Sequence, residues 1–371
     1  MYYHLILTDT CNLCCSYCRA KDFEETDPCG REVAVDDAVP SDLSFDLTYL
    51  YRFLSEDRAP VLTFYGGEPL LRRDLIEEVM DNAPPACRFM MQTNGLLLDR
   101  LGPEVVNRFS TILVSVDGPE ALTNAHRGAG VYARVMKNVR AIRAGGYAGE
   151  LIARMTVTED TDIEEAVLHL AGLPDFDAVH WQLDANFWGD YSKRHFAAWV
   201  EESYNPGIRR LVGTWVAKMR DEGRVPRWYP FLGCMEDLIL GQETCLRCGC
   251  GYANYTIMTD GTVIPCPCMV GMKDWYLGHI SCITPHDLPV VHVGAPCTSC
   301  DIGGFCGGRC LYSNILLPWP QEGRRLVCGT VRNLHDALTT ALPGVQELIA
   351  EGTISISDFS HEHFNGCEII P

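Results

Sequence analysis

Apolar and polar residues alternate in short blocks from residue 2 to about residue 220, and the period switches between two and about 3.6. Short apolar runs predict strands at Tyr2–Thr8, Val61–Tyr65, Arg88–Gln92, Thr111–Val116, Leu151–Val157 and Val179–Leu183. The amphipathic stretches between them predict helices at Phe45–Ser55, Arg72–Met80, Asp99–Phe109, Tyr132–Ala144, Ile163–Ala171 and Arg194–Met219, the last broken near Pro206-Gly207. Turn residues close the strands: Gly66-Gly67, Asn94-Gly95 and Asp117-Gly118-Pro119. Six β-then-α units in series predict an α/β fold, its parallel sheet wound open or curled into a partial barrel. In such sheets the chemistry sits at the carboxyl ends of the strands.

After about residue 225 the helical period fades, and Gly, Pro and Cys become dense from Cys234 to Cys328. A segment so poor in periodic apolar residues is expected to need metal to fold. A helix is expected again around Leu334–Leu342. The chain thus divides into 1–225 and 226–371, and residues 22–41 read as an acidic loop. No internal repeat or low-complexity tract stands out.

The 371 residues are 47% hydrophobic and 21% charged, enough to bury a sizeable core. A net charge of −19, from 30 basic and 49 acidic residues, argues against nucleic acid or an anionic membrane as partner. No run of 18 apolar residues predicts a membrane-spanning helix, and no export signal opens the chain. Nineteen cysteines without an export signal are expected to be metal or cluster ligands, in a reducing cytoplasm.

The first strand leads into Cys11-Asn12-Leu13-Cys14-Cys15-Ser16-Tyr17-Cys18. Cys11, Cys15 and Cys18 have a Cys-x3-Cys-x2-Cys spacing that can hold three corners of a cubane iron–sulfur cluster and leave one iron open. A zinc knuckle is the alternative, but such sites supply paired cysteines and four ligands in all. After the second strand, Gly66-Gly67-Glu68-Pro69 could bring backbone carbonyls and a carboxylate to an ammonium group. An ordinary turn before a helix is the plainer reading of that motif alone.

Together, the two motifs resemble radical S-adenosylmethionine (SAM) enzymes. The resemblance implies a [4Fe–4S] cluster on Cys11, Cys15 and Cys18, whose open iron chelates the amine and carboxylate of SAM. Gly66, Gly67, Glu68 and Pro69 match the motif that contacts the methionine amine. Ser115-Val116-Asp117-Gly118-Pro119 and His126-Arg127-Gly128 match a block of the peptide- and protein-modifying branch. The resemblance makes Ser115 and Asp117 ribose contacts and Arg127 the carboxylate contact. Asn94 is a further polar contact, and Gln182 is another candidate unless it only satisfies nearby backbone.

The later cysteines resemble the seven-cysteine SPASM extension of that family. Cys250, ten residues, Gly261, four residues and Cys266 form one half. Cys297-x2-Cys300-x5-Cys306-x3-Cys310, with Cys328 after a gap, forms the other. Two auxiliary [4Fe–4S] clusters are implied, making three in all. The first would use Cys266 and Cys310 with two of Cys245, Cys248 and Cys250, of which Cys245 and Cys250 are favoured. The second would use Cys297, Cys300, Cys306 and Cys328. A pair of zinc ribbons is the alternative. Cys14, Cys29, Cys87, Cys234, Cys282 and Cys367 are expected to be buried or free thiols.

Two departures qualify the resemblance. Sulfatase-maturing members carry an acidic residue where this chain has Pro267, followed by Cys268, so no substrate acid or base is assigned. Cys268 stays open as thiol base, extra ligand or buried apolar residue. The first strand begins at residue 2, and no leader-binding domain is expected before the barrel. The resemblance implies reductive SAM cleavage to a 5′-deoxyadenosyl radical that takes hydrogen from a peptide or protein side chain. It also implies a low-potential electron donor such as ferredoxin or flavodoxin. A small metabolite or cofactor precursor as substrate is one alternative, and a zinc-bound interaction protein another.

Overall fold

The computed structural model describes residues 1–18, 34–184, 194–366 and 368–371. Its first strand, β1 (Tyr2–Thr8), alternates as expected for a strand with two different faces. Tyr3, Leu5 and Leu7 are wholly buried on one face, which leaves His4, Ile6 and Thr8 on the other. The chain then runs α1 (Leu47–Ser55), β2 (Val61–Gly66), α2 (Arg73–Asn82), β3 (Arg88–Thr93), α3 (Pro103–Val106), β4 (Phe109–Ser115), α4 (Glu120–Arg127), α5 (Val131–Ala144), β5 (Glu150–Val157), α6 (Ile163–Ala171) and β6 (Ala178–Leu183). Next come α7 (Phe196–Trp199), α8 (Asn205–Glu222), α9 (Tyr229–Leu240), β7 (Asn254–Ile257), β8 (Thr262–Ile264), β9 (Gly278–His279), α10 (Gly303–Cys306), α11 (Leu311–Leu316) and α12 (Gln321–Ala350).

All nine strands join one sheet, in the order β6-β5-β4-β3-β2-β1-β7-β8-β9. The first six and β7 pair in parallel, while β8 and β9 add antiparallel. The parallel α/β sheet is therefore as expected. Local signals explain the helix starts. The Asp46 side chain accepts the Thr48 amide at α1, and Asp162 accepts the Glu164 and Glu165 amides at α6.

Several boundaries differ from the sequence expectation. No helix spans Asp99–Phe109; a short turn at Leu98–Arg100 and the four-residue α3 replace it, separated at Gly102-Pro103. There, Gly102 is extended and the Pro103 ring cannot continue a helix. The expected break near Pro206 is absent. A π turn, Val200–Tyr204, links α7 to α8, and its wider register accommodates a proline that lacks an N–H. Gly207 lets α8 lie tight on α6, since a Cβ there would come within 2.6 Å of Ile163 Cγ2. The late helix runs far beyond Leu334–Leu342, over 30 residues, and carries Pro343 inside.

The region after residue 225 holds more apolar core than its pattern suggests. Residues Tyr229 to Met235 of α9 are all buried, so this helix is apolar on every side and shows no stripe. Short β7 is buried throughout and docks on β1, which carries the first region's sheet directly into the second. Phe231 packs against Trp181, Trp215 and Trp228 at ring-centroid distances of 5.2, 5.4 and 6.1 Å. No helix among the described residues is long and apolar enough to cross a membrane. Truncation by Phe231→Ala is expected to lower unfolding stability by about 3–5 kcal/mol, measurable by denaturant titration.

Candidate active site at the mouth of the barrel

The cysteine loop leaves the carboxyl end of β1 and is stitched down on both sides. On one side lies the turn after β2. The Gly67 amide donates to Thr8 O and the Glu68 amide to Thr10 O, both at 2.9 Å. A Cβ on Gly66 or Gly67 would stand 2.2 Å from those same carbonyl oxygens, so the close approach requires glycine. Gly66 also takes φ +127°, a conformation L side chains rarely adopt.

Glu68, in the motif that the resemblance assigns to the methionine amine, is held within the protein. It is fully buried, and both its oxygens are taken by the protein: Thr93 Oγ1 at 2.7 Å, the Leu70 amide at 3.1 Å and the Asn94 amide at 2.7 Å. Burial raises its pKa, and these three donors oppose the rise. Glu68 therefore ties the turn after β2 to the end of β3. Asn94, so positioned, donates to Asn12 Oδ1 at 2.7 Å and approaches Cys11 Sγ at 3.7 Å.

On the other side of the loop stands α4. Asp117 is wholly buried and accepts two hydrogen bonds from Arg127, Nε at 2.7 Å and Nη2 at 2.9 Å. It also accepts Tyr17 Oη at 2.9 Å and the Thr156 amide at 3.1 Å. Asp117 and Arg127, which the resemblance makes ribose and carboxylate contacts, are thus hydrogen-bonded to each other. The cause is burial: a desolvated guanidinium and carboxylate are stable only when fully paired. His126 completes the anchor. Its carbonyl accepts the Ser16 amide at 2.9 Å, and its ring lies 2.8 Å from Ser16 Oγ and 3.2 Å from Thr158 Oγ1. The Arg127 guanidinium also sits 5.5 Å from the Tyr17 ring centroid.

Among the loop thiols, Cys11, Cys14 and Cys18 are exposed and Cys15 is half-buried. Burial pushes the Cys15 thiol up to about 11, against the pull of Arg127. Burial likewise raises Cys11, opposed by the Leu13 amide. All three expected ligands are free thiols on a pinned loop, which fits cluster ligation.

Ser115 ends β4, and its register neighbour is Arg154 of β5, which in turn pairs with His180 of β6. Gln182 accepts from Arg154 Nη2 at 3.0 Å, so it serves a side chain rather than backbone. Arg154 escaped the sequence reading, although a lone charge in an apolar strand was a usable signal. Its Nε is buried without a hydrogen-bond partner, and among the described residues no carboxylate pairs with it. Burial drives His4 down to about 4, the hydrogen bond with Asn254 resists, and Arg154 adds to the fall. An under-paired guanidinium among neutral imidazoles suits an anionic ligand.

The later thiols form two groups. Cys250 interacts directly with Cys248 and Cys266, and Cys266 with Cys268, while Cys310 lies close enough to Cys266 to act on it electrostatically. The structure thus brings Cys248 to Cys250 and Cys266, while the favoured Cys245 is exposed and lines a cleft with Cys297 and Cys300. Cys268 is exposed; interaction with Cys266 raises its thiol, and Arg154 opposes the rise. In the second group, Cys297, Cys300, Cys306, Cys310 and Cys328 line one cavity. Arg309 and Arg324 line it too, and each has a buried Nε without a partner. Cationic donors left open around clustered thiols fit an anionic iron–sulfur cluster. Cys87 and Cys234 are buried as expected, Cys282 is exposed, and Cys29 and Cys367 lie outside the described residues.

Residues 5–171 match the Radical SAM superfamily, and the chain carries that superfamily's domain. An AdoMet-dependent heme synthase of Nitratidesulfovibrio vulgaris is 30% identical over 42% of this chain and 40% of its own length. A probable GTP 3′,8-cyclase of Methanocella arvoryzae is 31% identical over 30% of this chain and 33% of its own. The fold is also that of anSMEcpe, solved with AdoMet and a Cp18Cys peptide: TM-score 0.68, 19% identity, covering 94% of this chain and 99% of that one. Streptococcus suis SuiB bound to precursor peptide SuiA gives a TM-score of 0.55 at 15% identity, over 83% and 71%.

Replacing Asp117 by Ala would strand a buried Arg127 and is expected to cost about 3–5 kcal/mol, whereas Tyr17→Phe should cost about 1–2 kcal/mol. Chemical denaturation measures both. Iron retention by the loop should fall in the same order.

Proposed function

We propose that the chain is a radical SAM enzyme acting on a peptide or protein side chain. The observation that carries this reading is the pinned loop of Cys11, Cys15 and Cys18 above a barrel mouth holding Arg154, backed by further thiol groups. When bound, a [4Fe–4S] cluster and SAM would supply one-electron reductive cleavage of the cofactor and a 5′-deoxyadenosyl radical. The chain's own work is positioning. Gly66 and Gly67 offer backbone to the methionine amine, Asn94 steadies the loop, and Ser115 offers a hydroxyl to ribose. With Arg127 committed to Asp117, Arg154 takes over as the partner for a carboxylate.

The later thiols would hold two auxiliary clusters in the region after residue 225. The first draws on Cys248, Cys250, Cys266, Cys268 and Cys310, and the second on Cys297, Cys300, Cys306 and Cys328. Thiolates on every iron suit them to electron transfer, with a ferredoxin or flavodoxin as donor to the loop cluster. The peptide reading is supported by likeness over nearly the whole chain to structures holding peptides. The names of the sequence relatives, heme synthase and GTP cyclase, favour a second reading, a small metabolite or cofactor precursor. Those matches cover less than half of this chain.

The anaerobic, reduced enzyme given SAM is expected to form 5′-deoxyadenosine. A Cys11→Ala/Cys15→Ala/Cys18→Ala protein should form none by liquid chromatography; product at the wild-type rate would sink the proposal. Peptides encoded beside the gene should change mass under these conditions. If only small molecules change, the second reading holds.

A further inference from the structure

One group of metal-ligating side chains lies outside the barrel mouth and both later thiol groups. Glu236 stands on α9. His361, His363 and Glu368 come from the segment after the short turn Ile356–Phe359. One ligand atom from each of Glu236, His361 and His363 lies within 4.8 Å of the others. Glu368 bridges the two imidazoles, with Oε1 2.6 Å from His361 Nε2 and Oε2 3.1 Å from His363 Nδ1. Glu236 Oε2 is 3.8 Å from His361 Nδ1 and 3.9 Å from His363 Nε2.

The hydrogen positions follow from the partners. His361 Nδ1 lies 2.9 Å from the Phe359 carbonyl oxygen, a contact that only an N–H makes. In the neutral ring, Nε2 then carries a lone pair, and it points at a carboxylate oxygen. Two lone pairs at that separation repel unless a cation lies between them, either a proton on the ring or a metal ion. Hydrogen bonding of the second ring nitrogen to a backbone carbonyl is also how metal-bound histidines are usually oriented. The helix is shaped for this approach as well. A Cβ at Gly233 would stand 2.6 Å from Glu368 Oε1 and 3.2 Å from His361 Cε1. The His363 side chain is 51% exposed, which leaves the group an open side.

We propose that Glu236, His361, His363 and Glu368 form a divalent-metal site, best suited to zinc, that clamps the C-terminal segment to α9. Two neutral imidazoles and two carboxylates balance a doubly charged ion, and their nitrogen and oxygen donors differ from the all-thiol sets elsewhere. Ligation at zinc distances requires His361 Nε2 and Glu368 Oε1 to part to about 3.3 Å, and Glu236, now nearer His361 Nδ1, to turn toward the same centre. The clamped segment bears on the barrel. The Asn254 side chain donates to Phe364 O at 3.1 Å and lies 2.9 Å from His4 Nδ1, and Ile370 is buried in the main core.

The test uses the cluster-loaded protein, dialysed against zinc and assayed for zinc and iron by elemental mass spectrometry. Wild type is expected to take up about one zinc per chain beyond any held by thiols. His363→Ala and Glu236→Gln, both at partly exposed side chains, should each weaken that uptake about 10–100-fold at unchanged iron content. Cobalt in place of zinc should give visible d–d bands that vanish in both variants. Equal zinc uptake by wild type and both variants would assign the metal to thiols and overturn the proposal. No uptake by folded wild type would overturn it too, leaving a proton-shared network of histidines and carboxylates.

Discussion

The mouth of the barrel depends on one buried carboxylate. Asp117 leaves the end of β4 and binds Arg127 of α4, Tyr17 of the cysteine loop and the β5 backbone at Thr156. A charge removed from water this completely is tolerated only because every donor around it is aimed inward. The loop therefore inherits the rigidity of the sheet. Its thiols can be exposed without being mobile, which an open metal-binding loop needs.

The glycine pair does the matching work on the other flank. Gly66 and Gly67 bring the turn after β2 against the strand that feeds the cysteines. Glu68 then closes a path through Thr93 and Asn94 to Cys11. Glu68, in a motif that resembles a ligand contact, also serves as a brace within the protein. Arg154 of β5 is among the buried groups left with unmet hydrogen-bonding capacity. Shared fold alone does not name a substrate, since one scaffold hosts many chemistries.

Beyond residue 225 the chain does not start afresh. β7 pairs with β1, and α9 and α12 pack in the main core. The later thiols are consequently held at fixed distances from the first loop. Cys268 and Tyr65 illustrate the continuity, since the Cys268 and Cys18 thiols both act electrostatically on the Tyr65 hydroxyl.

The sequence by itself determined the parallel α/β plan, because period-two apolar runs between amphipathic stretches have few other solutions. Five of the six early strands were placed within a residue at each end, and β4 began two residues sooner, at Phe109. The cysteine spacings likewise marked the loop and both later thiol groups, since ligand spacing is local. Tertiary structure alone decided which polar residues are spent on one another. Asp117 with Arg127, ten residues apart, and Glu68 with Thr93 are pairs made by packing strand ends against neighbouring elements, which a motif does not record. It also decided α9, whose first two turns are apolar on every side and so show no period, and the gathering of Glu236 with His361, His363 and Glu368 across more than a hundred residues. Cys248 rather than Cys245 beside Cys250 is the same lesson on a smaller scale, because the direction of a thiol depends on the turn that carries it.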